Sequence, residues 1–460
     1  MAPRSGRAAE LWRRWGIPLF WVVFAVWAGV TVVRNAKRVL ERERQLGAAL
    51  LDTGTDPQVD DFEGMWRAAL RMSRHEVAFY PHTKARTEMP SKHGPFLETL
   101  LLPTVPMGPA WAAILFQCVS MVLLAATLVL GQRLATRVLG RGPPEAGAGA
   151  EGEPAARPLS PWTTPVAFAL LIPFVQLAAK YNQSVFLMVF LAVWGLVLLP
   201  RRPLAAGALL ALPGAIKLLP LVLGPWLLWK RQLRAFAGWC LALLLTFVPL
   251  FVHQGWDLGW RQLDAYQHMI RADAAFDEYH ERFQGLPSLL NATMVEHYAP
   301  DMDSEAQDVG WDGVRNFLPF LSAMRRGIVV AACLALVLTC MLCVRHPRVE
   351  HPRRYLAELG LVLLAMLLLS PHTWKHYLWW EFPAVLLACA EWQDPRRRPW
   401  ARAFLVVVLL TQTLPHRGLL GFAPILWQSW QVFHGIALGG AVAFVFLARR
   451  LWRDRATPEG

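Results

Sequence analysis

Three short stretches place ionisable side chains where apolar surroundings make them costly. SPHTWKHYL (370–378) carries His372, Lys375 and His376 between two apolar runs. PGAIKLLP (213–220) carries Lys217 alone, and DDFEGMWRAALRM (60–72) opens on Asp60 and Asp61. A cation held at the depth of a lipid headgroup can bind a phosphate and stabilise charge developing on it, best where water is excluded. A carboxylate at the membrane surface can take a proton from a hydroxyl. Each group also has a structural account. Lys375 can snorkel to anionic headgroups beside interfacial histidines. Asp60 and Asp61 can cap a helix and complement its dipole, although one cap needs one carboxylate and leaves the second to face a cavity. Lys217 has the stronger functional claim, because ionisable groups inside a membrane are rare without a task. Glu381, one turn further along, is a similar candidate, its structural alternative being a pair with a nearby Lys or His.

The elements that position these residues are helices in a bilayer. Of 460 residues, 55% are hydrophobic and only 17% charged, and apolar runs long enough to cross hydrocarbon recur along the chain. The 22 Trp, many near the ends of those runs, suit interfacial belts. A net charge of +13 does not indicate nucleic acid here, because the Arg and Lys cluster in short segments between apolar runs, where they set topology. All six Cys lie in apolar runs, so no disulfide framework is implied, and the Cys340–Cys343 pair lacks a second pair to make a metal site. The first apolar run, 16–33, is long and lacks a cleavage site, so it reads as a retained helix.

The positive-inside rule puts the N-terminus in the cytoplasm and makes 34–108 a first outer loop, 140–161 a Gly/Ala/Pro-rich cytoplasmic linker, and 253–326 a second outer loop. Residues 203–229 decide the parity. Arg201 and Arg202 precede them and Lys230, Arg231 and Arg234 follow, so a single span would put the later Arg clusters outside. Two half-helices broken at Pro213-Gly214 and Pro220 keep those clusters inside and leave Lys217 at the tip of a re-entrant pair, where irregular backbone needs protein or a polar cavity around it. The expectation is an all-α polytopic protein, one membrane domain over 1–460, with about 11–12 transmembrane or re-entrant helices. In the first outer loop, Phe62, Met65, Trp66, Ala69 and Leu70 fall on one helical face, as an interfacial helix requires.

In order and spacing these pieces resemble the polyprenyl-phosphate-sugar-dependent glycosyltransferases of glycosyltransferase family 87, integral-membrane enzymes of GT-C type. The resemblance rests on DFEGMWRAAL (61–70), the aromatic-Pro element FYP (79–81), GPFLETLLLP (94–103), NQS (182–184), AAGALLALPGAIKLLP (205–220) and SPHTWKHYL. Tyr377 stands where the family shows a second His, Met65 or Trp66 replaces a first-loop Tyr, and only FQG (283–285) answers a second-loop Asn-Gln-Ser element.

The resemblance implies Asp61 as catalytic base with His376 as a second catalytic residue. It implies Lys217 as a lipid-phosphate ligand and Lys375, His372, Gln183, Asp60 and Tyr80 as substrate-binding residues. The implied activity is inverting transfer of a hexose, mannose foremost, or a pentose from a polyprenyl-phosphate sugar to a glycolipid or glycan hydroxyl. Its place is the outer face of a bacterial inner (plasma) membrane, with both termini cytoplasmic. No cofactor and no metal-ligand set is evident, and a divalent metal is left open. A flippase or transporter of lipid-linked sugar is the alternative, and it predicts inverted repeats and charges facing one another at mid-membrane. No internal repeat is found, and the titratable clusters fall on the expected outer side.

Overall fold

The computed structural model of the chain describes residues 5–46, 61–77, 93–139, 160–276, 319–343, 352–370, 373, 375–395, 397–415 and 435–456. Among these, all regular structure is helical. The first membrane helix, α1 (Ser5–Leu46), continues well past its apolar run. The first outer loop then supplies α2 (Asp61–Ser73), α3 (Pro95–Leu101) and a 3₁₀ turn (Leu102–Met107) that feeds α4 (Gly108–Leu139). A hairpin, α5 (Thr163–Lys180) and α6 (Val185–Leu198), precedes α7 (Pro203–Ile216), a 3₁₀ turn (Leu219–Val222) and α8 (Leu223–Trp229). Next come α9 (Leu233–Gln254), α10 (Trp256–Phe276), α11 (Pro319–Cys343) and α12 (Pro352–Leu369). A 3₁₀ segment (Lys375–Glu381) leads into α13 (Phe382–Glu391), then α14 (Arg398–Val408), a π turn (Leu409–Thr413) and α15 (Gly435–Ala456).

Four of the described helices are long and apolar enough to cross a membrane, within Trp15–Glu41, Pro95–Thr136, Thr163–Lys180 and Leu233–Gln254. Val22, Val26, Val30 and Val33 of α1 and Leu241, Leu244, Val248 and Val252 of α9 are exposed at helical spacing. Apolar faces of this size require lipid cover, and the chain is a polytopic integral membrane protein. Two buried polar clusters lie toward opposite ends of the bundle. On one side, Asn35 donates to Gln117 Oε1 (3.2 Å) and to the Ala179 carbonyl (2.8 Å). On the other, Thr164 donates to Gln132 Oε1 at 2.8 Å. About 22 Å of helix separates Gln117 from Gln132 on α4, and the same length separates Thr164 from Ala179 on α5.

The parity argument holds in the geometry. A Cβ on Gly207 would lie 1.7 Å from the Ala235 carbonyl oxygen, and one on Gly238 would lie 2.1 Å from that of Leu204. Near their N-terminal ends α7 and α9 therefore touch backbone to backbone, as small residues allow in membranes. Chain that leaves at Arg202 thus returns at Lys230 to the same side, and residues 203–229 are re-entrant. The break differs from expectation. Helix α7 runs through Pro213 and ends at Ile216; Lys217 itself is extended (φ −149°, ψ 136°). Pro213 lies in the last turn, so its missing N–H costs one bond, and its carbonyl accepts the Lys217 N–H at 2.9 Å. Residues 375–391 are likewise not one α-helix. Pro383 opens α13 and compels a restart there, and the preceding residues take 3₁₀ form.

Two buried ion clusters brace the arginine-rich side. Lys230 pairs with Glu358, both side chains being fully buried, and Arg354 Nε adds a 3.1 Å contact to the same carboxylate. Arg450 forks onto Glu391, which Arg397 approaches at 3.6 Å. Breaking a buried pair strands the remaining charge, at a cost of about 3–5 kcal/mol. Lys230→Met is therefore expected to lower the thermal midpoint of the detergent-solubilised protein markedly. The double variant Lys230→Met/Glu358→Leu should recover most of the loss, and a Lys230→Met protein as stable as wild type would show the pair to be dispensable.

Candidate functional site

The first outer loop docks on the break in the re-entrant hairpin. Gly94 donates its N–H to the Ile216 carbonyl at 2.8 Å. A Cβ at that position would meet the Ala215 carbonyl oxygen at 2.1 Å, so only glycine lets the loop approach this closely. Directly before it, His93 is buried. Burial, then the charges of Lys217 and His376, hold its imidazole well below the usual histidine range. His376 is buried too and is lowered by burial and then by Lys217. Three elements far apart in sequence thus bring His93, Lys217 and His376 into one electrostatic neighbourhood. The Lys217 ammonium stands 4.5 Å over the Tyr377 ring, whose edge-to-face partner at 4.4 Å is His376. The residue that departs from the family pattern is therefore the aromatic face on which the lysine rests, a cation–π contact. Lys375 is buried in the same 3₁₀ segment.

Asp61 is the first residue of α2 and is half-buried. The apolar face expected for that helix is the buried one: Phe62, Met65, Trp66 and Ala69 lie in the core, with Leu70 packed at its edge. Phe62 meets Phe116 of α4 with ring centroids 5.0 Å apart. Helix α2 also packs along α3, the helix that Gly94 opens, so the carboxylate and the cationic cluster belong to one packed assembly. Helix α10 covers it from outside. Gln262 donates to the Glu76 carbonyl and Gln254, at the end of α9, to that of Met72, both at 2.6 Å, while Met269 packs with Met72 and Leu250.

Gln183 lies in the α5–α6 turn, where Asn182 adopts φ +51° and donates to the Ala113 carbonyl at 2.9 Å. Its side chain is 1% exposed, yet neither amide atom finds a hydrogen-bond partner among the described residues. A buried amide rarely stays unsatisfied without a ligand or water. Both flanking helices pack on the 375–381 segment. Ala113, which anchors this turn, lies one helical turn from Phe116, against which α2 docks.

Asp60, Tyr80 and His372 lie outside the described residues, as do most of the linker 140–161 and the larger part of 253–326. In the sequence His93 carries no signal beyond the adjoining Gly94-Pro95, the mark of a close backbone approach. Glu381 takes a different partner from the Lys or His expected: Gln412, on the π turn, donates to its Oε1 at 3.1 Å. Among the described residues no group of three or more His, Cys, Asp or Glu is placed to hold a metal ion. The arrangement can hold an anion at Lys217, with neutral imidazoles as hydrogen-bonding partners and a carboxylate on the adjacent first-loop helix.

A family model described as glycosyltransferase family 87 matches residues 93–371, more than half of the chain. The match begins at His93 and includes Gln183 and Lys217, whereas Asp61, Lys375 and His376 lie beyond its ends. No curated protein matches the chain.

Proposed function

Because the chain belongs to glycosyltransferase family 87, and so is a membrane glycosyltransferase, we propose that it uses a polyprenyl-phosphate sugar as donor. It would pass a hexose, mannose being the first candidate, or a pentose to a hydroxyl of a glycolipid or glycan. The observation that carries this reading is the convergence of Lys217, His93 and His376 at the broken hairpin. A lipid-linked phosphate arrives there from the bilayer and meets an ammonium group in a largely buried setting. In the proposed step Asp61 takes the proton of the acceptor hydroxyl and the oxygen attacks the anomeric carbon. The bond from that carbon to the phosphate oxygen breaks, and its electron pair leaves on the polyprenyl phosphate. Attack opposite the leaving group inverts the anomeric centre. We place the reaction on the outer face of the plasma membrane with both termini cytoplasmic, as the distribution of arginines favours, within a GT-C architecture.

Membranes containing the protein, supplied with radiolabelled polyprenyl-phosphate mannose, should yield labelled glycolipid or glycan, whereas the nucleotide sugar alone should not. Pentose donors presented the same way distinguish the two sugar classes. Equal labelling from a nucleotide sugar in membranes free of polyprenyl phosphate would overturn the donor assignment.

A further inference from the structure

A crevice lies at the opposite end of the bundle from the cluster. At the arginine-rich end of α1, α4 and α5 it opens between the helices with a volume of about 420 Å³. Ile17, Phe20, Trp21, Leu128 and Val129 make its walls apolar, and Gln132 and Arg133 line it as well. Phe20 is held edge-to-face on Phe168 at 6.1 Å. Gln132 is occupied by Thr164. Arg133 is different: it is exposed and makes no ion pair or hydrogen bond among the described residues.

We propose that this crevice holds one acyl chain of an anionic diacyl phospholipid whose phosphate pairs with Arg133. Three observations converge on that occupant. The volume falls in the range of small-molecule sites, and its lining offers hydrocarbon almost everything it needs. The crevice adjoins the exposed residues Leu19, Val22 and Val23 of α1, so it opens at the protein–lipid boundary. Among the described residues the one charged group lining it is Arg133, a cation whose long side chain can snorkel to a headgroup phosphate. A guanidinium binds phosphate by paired hydrogen bonds. The sugar donor does not suit this place. Gln132 is about 22 Å along α4 from Gln117, so a lipid with its phosphate at Arg133 cannot present a sugar to Lys217.

The test uses the full-length protein purified in detergent and native mass spectrometry with added phosphatidylglycerol or phosphatidylcholine of identical chains. Wild type should retain phosphatidylglycerol about fivefold more than phosphatidylcholine, the effect of one basic side chain on an anionic lipid. Arg133→Gln should abolish that preference, and Val129→Trp, which fills the crevice, should reduce retention of both lipids. Equal retention of the two lipids by wild type would overturn the proposal. So would an Arg133→Gln protein that keeps the preference, or displacement of phosphatidylglycerol by equimolar polyprenyl phosphate. Because Arg133 and Val129 lie outside the cluster, sugar transfer in phosphatidylcholine nanodiscs should match wild type in both variants. That result separates failure of this inference from failure of the donor assignment.

Discussion

Asp61→Asn is expected to lower sugar transfer by about 10²–10⁴, the usual contribution of a positioned general base. The substitution isolates proton transfer, because asparagine has the shape of aspartate and forgoes only the charge's interaction with the helix dipole, about 0.3–1 kcal/mol. The start of α2 and the burial of Phe62, Met65 and Trp66 should survive it, and the thermal midpoint should fall only slightly. The measurement is initial rate with labelled polyprenyl-phosphate sugar in membranes matched for protein content. A variant that transfers at the wild-type rate removes Asp61 from the chemistry and returns it to a capping role.

Lys217→Met tests the other half of the reaction. Methionine keeps an unbranched apolar stem but removes the charge, and with it the ammonium's place over the Tyr377 ring. Losing one preorganised group at a site of developing charge costs about 10²–10³ in rate. The phosphodiester already carries one negative charge and gains a second as the bond to the sugar breaks, so the loss should fall on kcat as well as on the donor KM. If it falls entirely on the donor KM, the lysine binds ground state and transition state alike, and its part is anchoring. Lys217→Arg should restore a fraction of the rate, since it keeps the charge but changes the donor geometry.

Much of this assembly is legible in the residues, and the parts that are not share one cause. Periodicity alone identifies the buried face of α2, because a 3.6-residue repeat is local. Arginine placement settles the re-entrant hairpin, because each cluster must return to the same side. Long-range partners are different. His93 is one histidine before a glycine and a proline, and nothing nearby says that Lys217 will lie beside it. Glu381 meets Gln412 only because the π turn brings that amide round to it, so a nearby Lys or His was the natural expectation. Pro213 misleads for a similar reason. Proline breaks a helix when a following turn has to be built on it, and here the helix is already ending.

The backbone contact of α7 with α9 at Gly207 and Gly238 makes the seats of Lys217 and Asp61 mechanically unequal. With no side chain between the two helices at those points, there is no rotamer to adjust and no layer to repack. The ammonium is therefore carried on a stiff mount. Asp61 instead stands on a helix seated through Phe62, Met65 and Trp66, which can rearrange while keeping the seat filled. On the function proposed above, tolerance toward differently shaped acceptors belongs to the carboxylate's side, and fidelity to the departing phosphate to the lysine's.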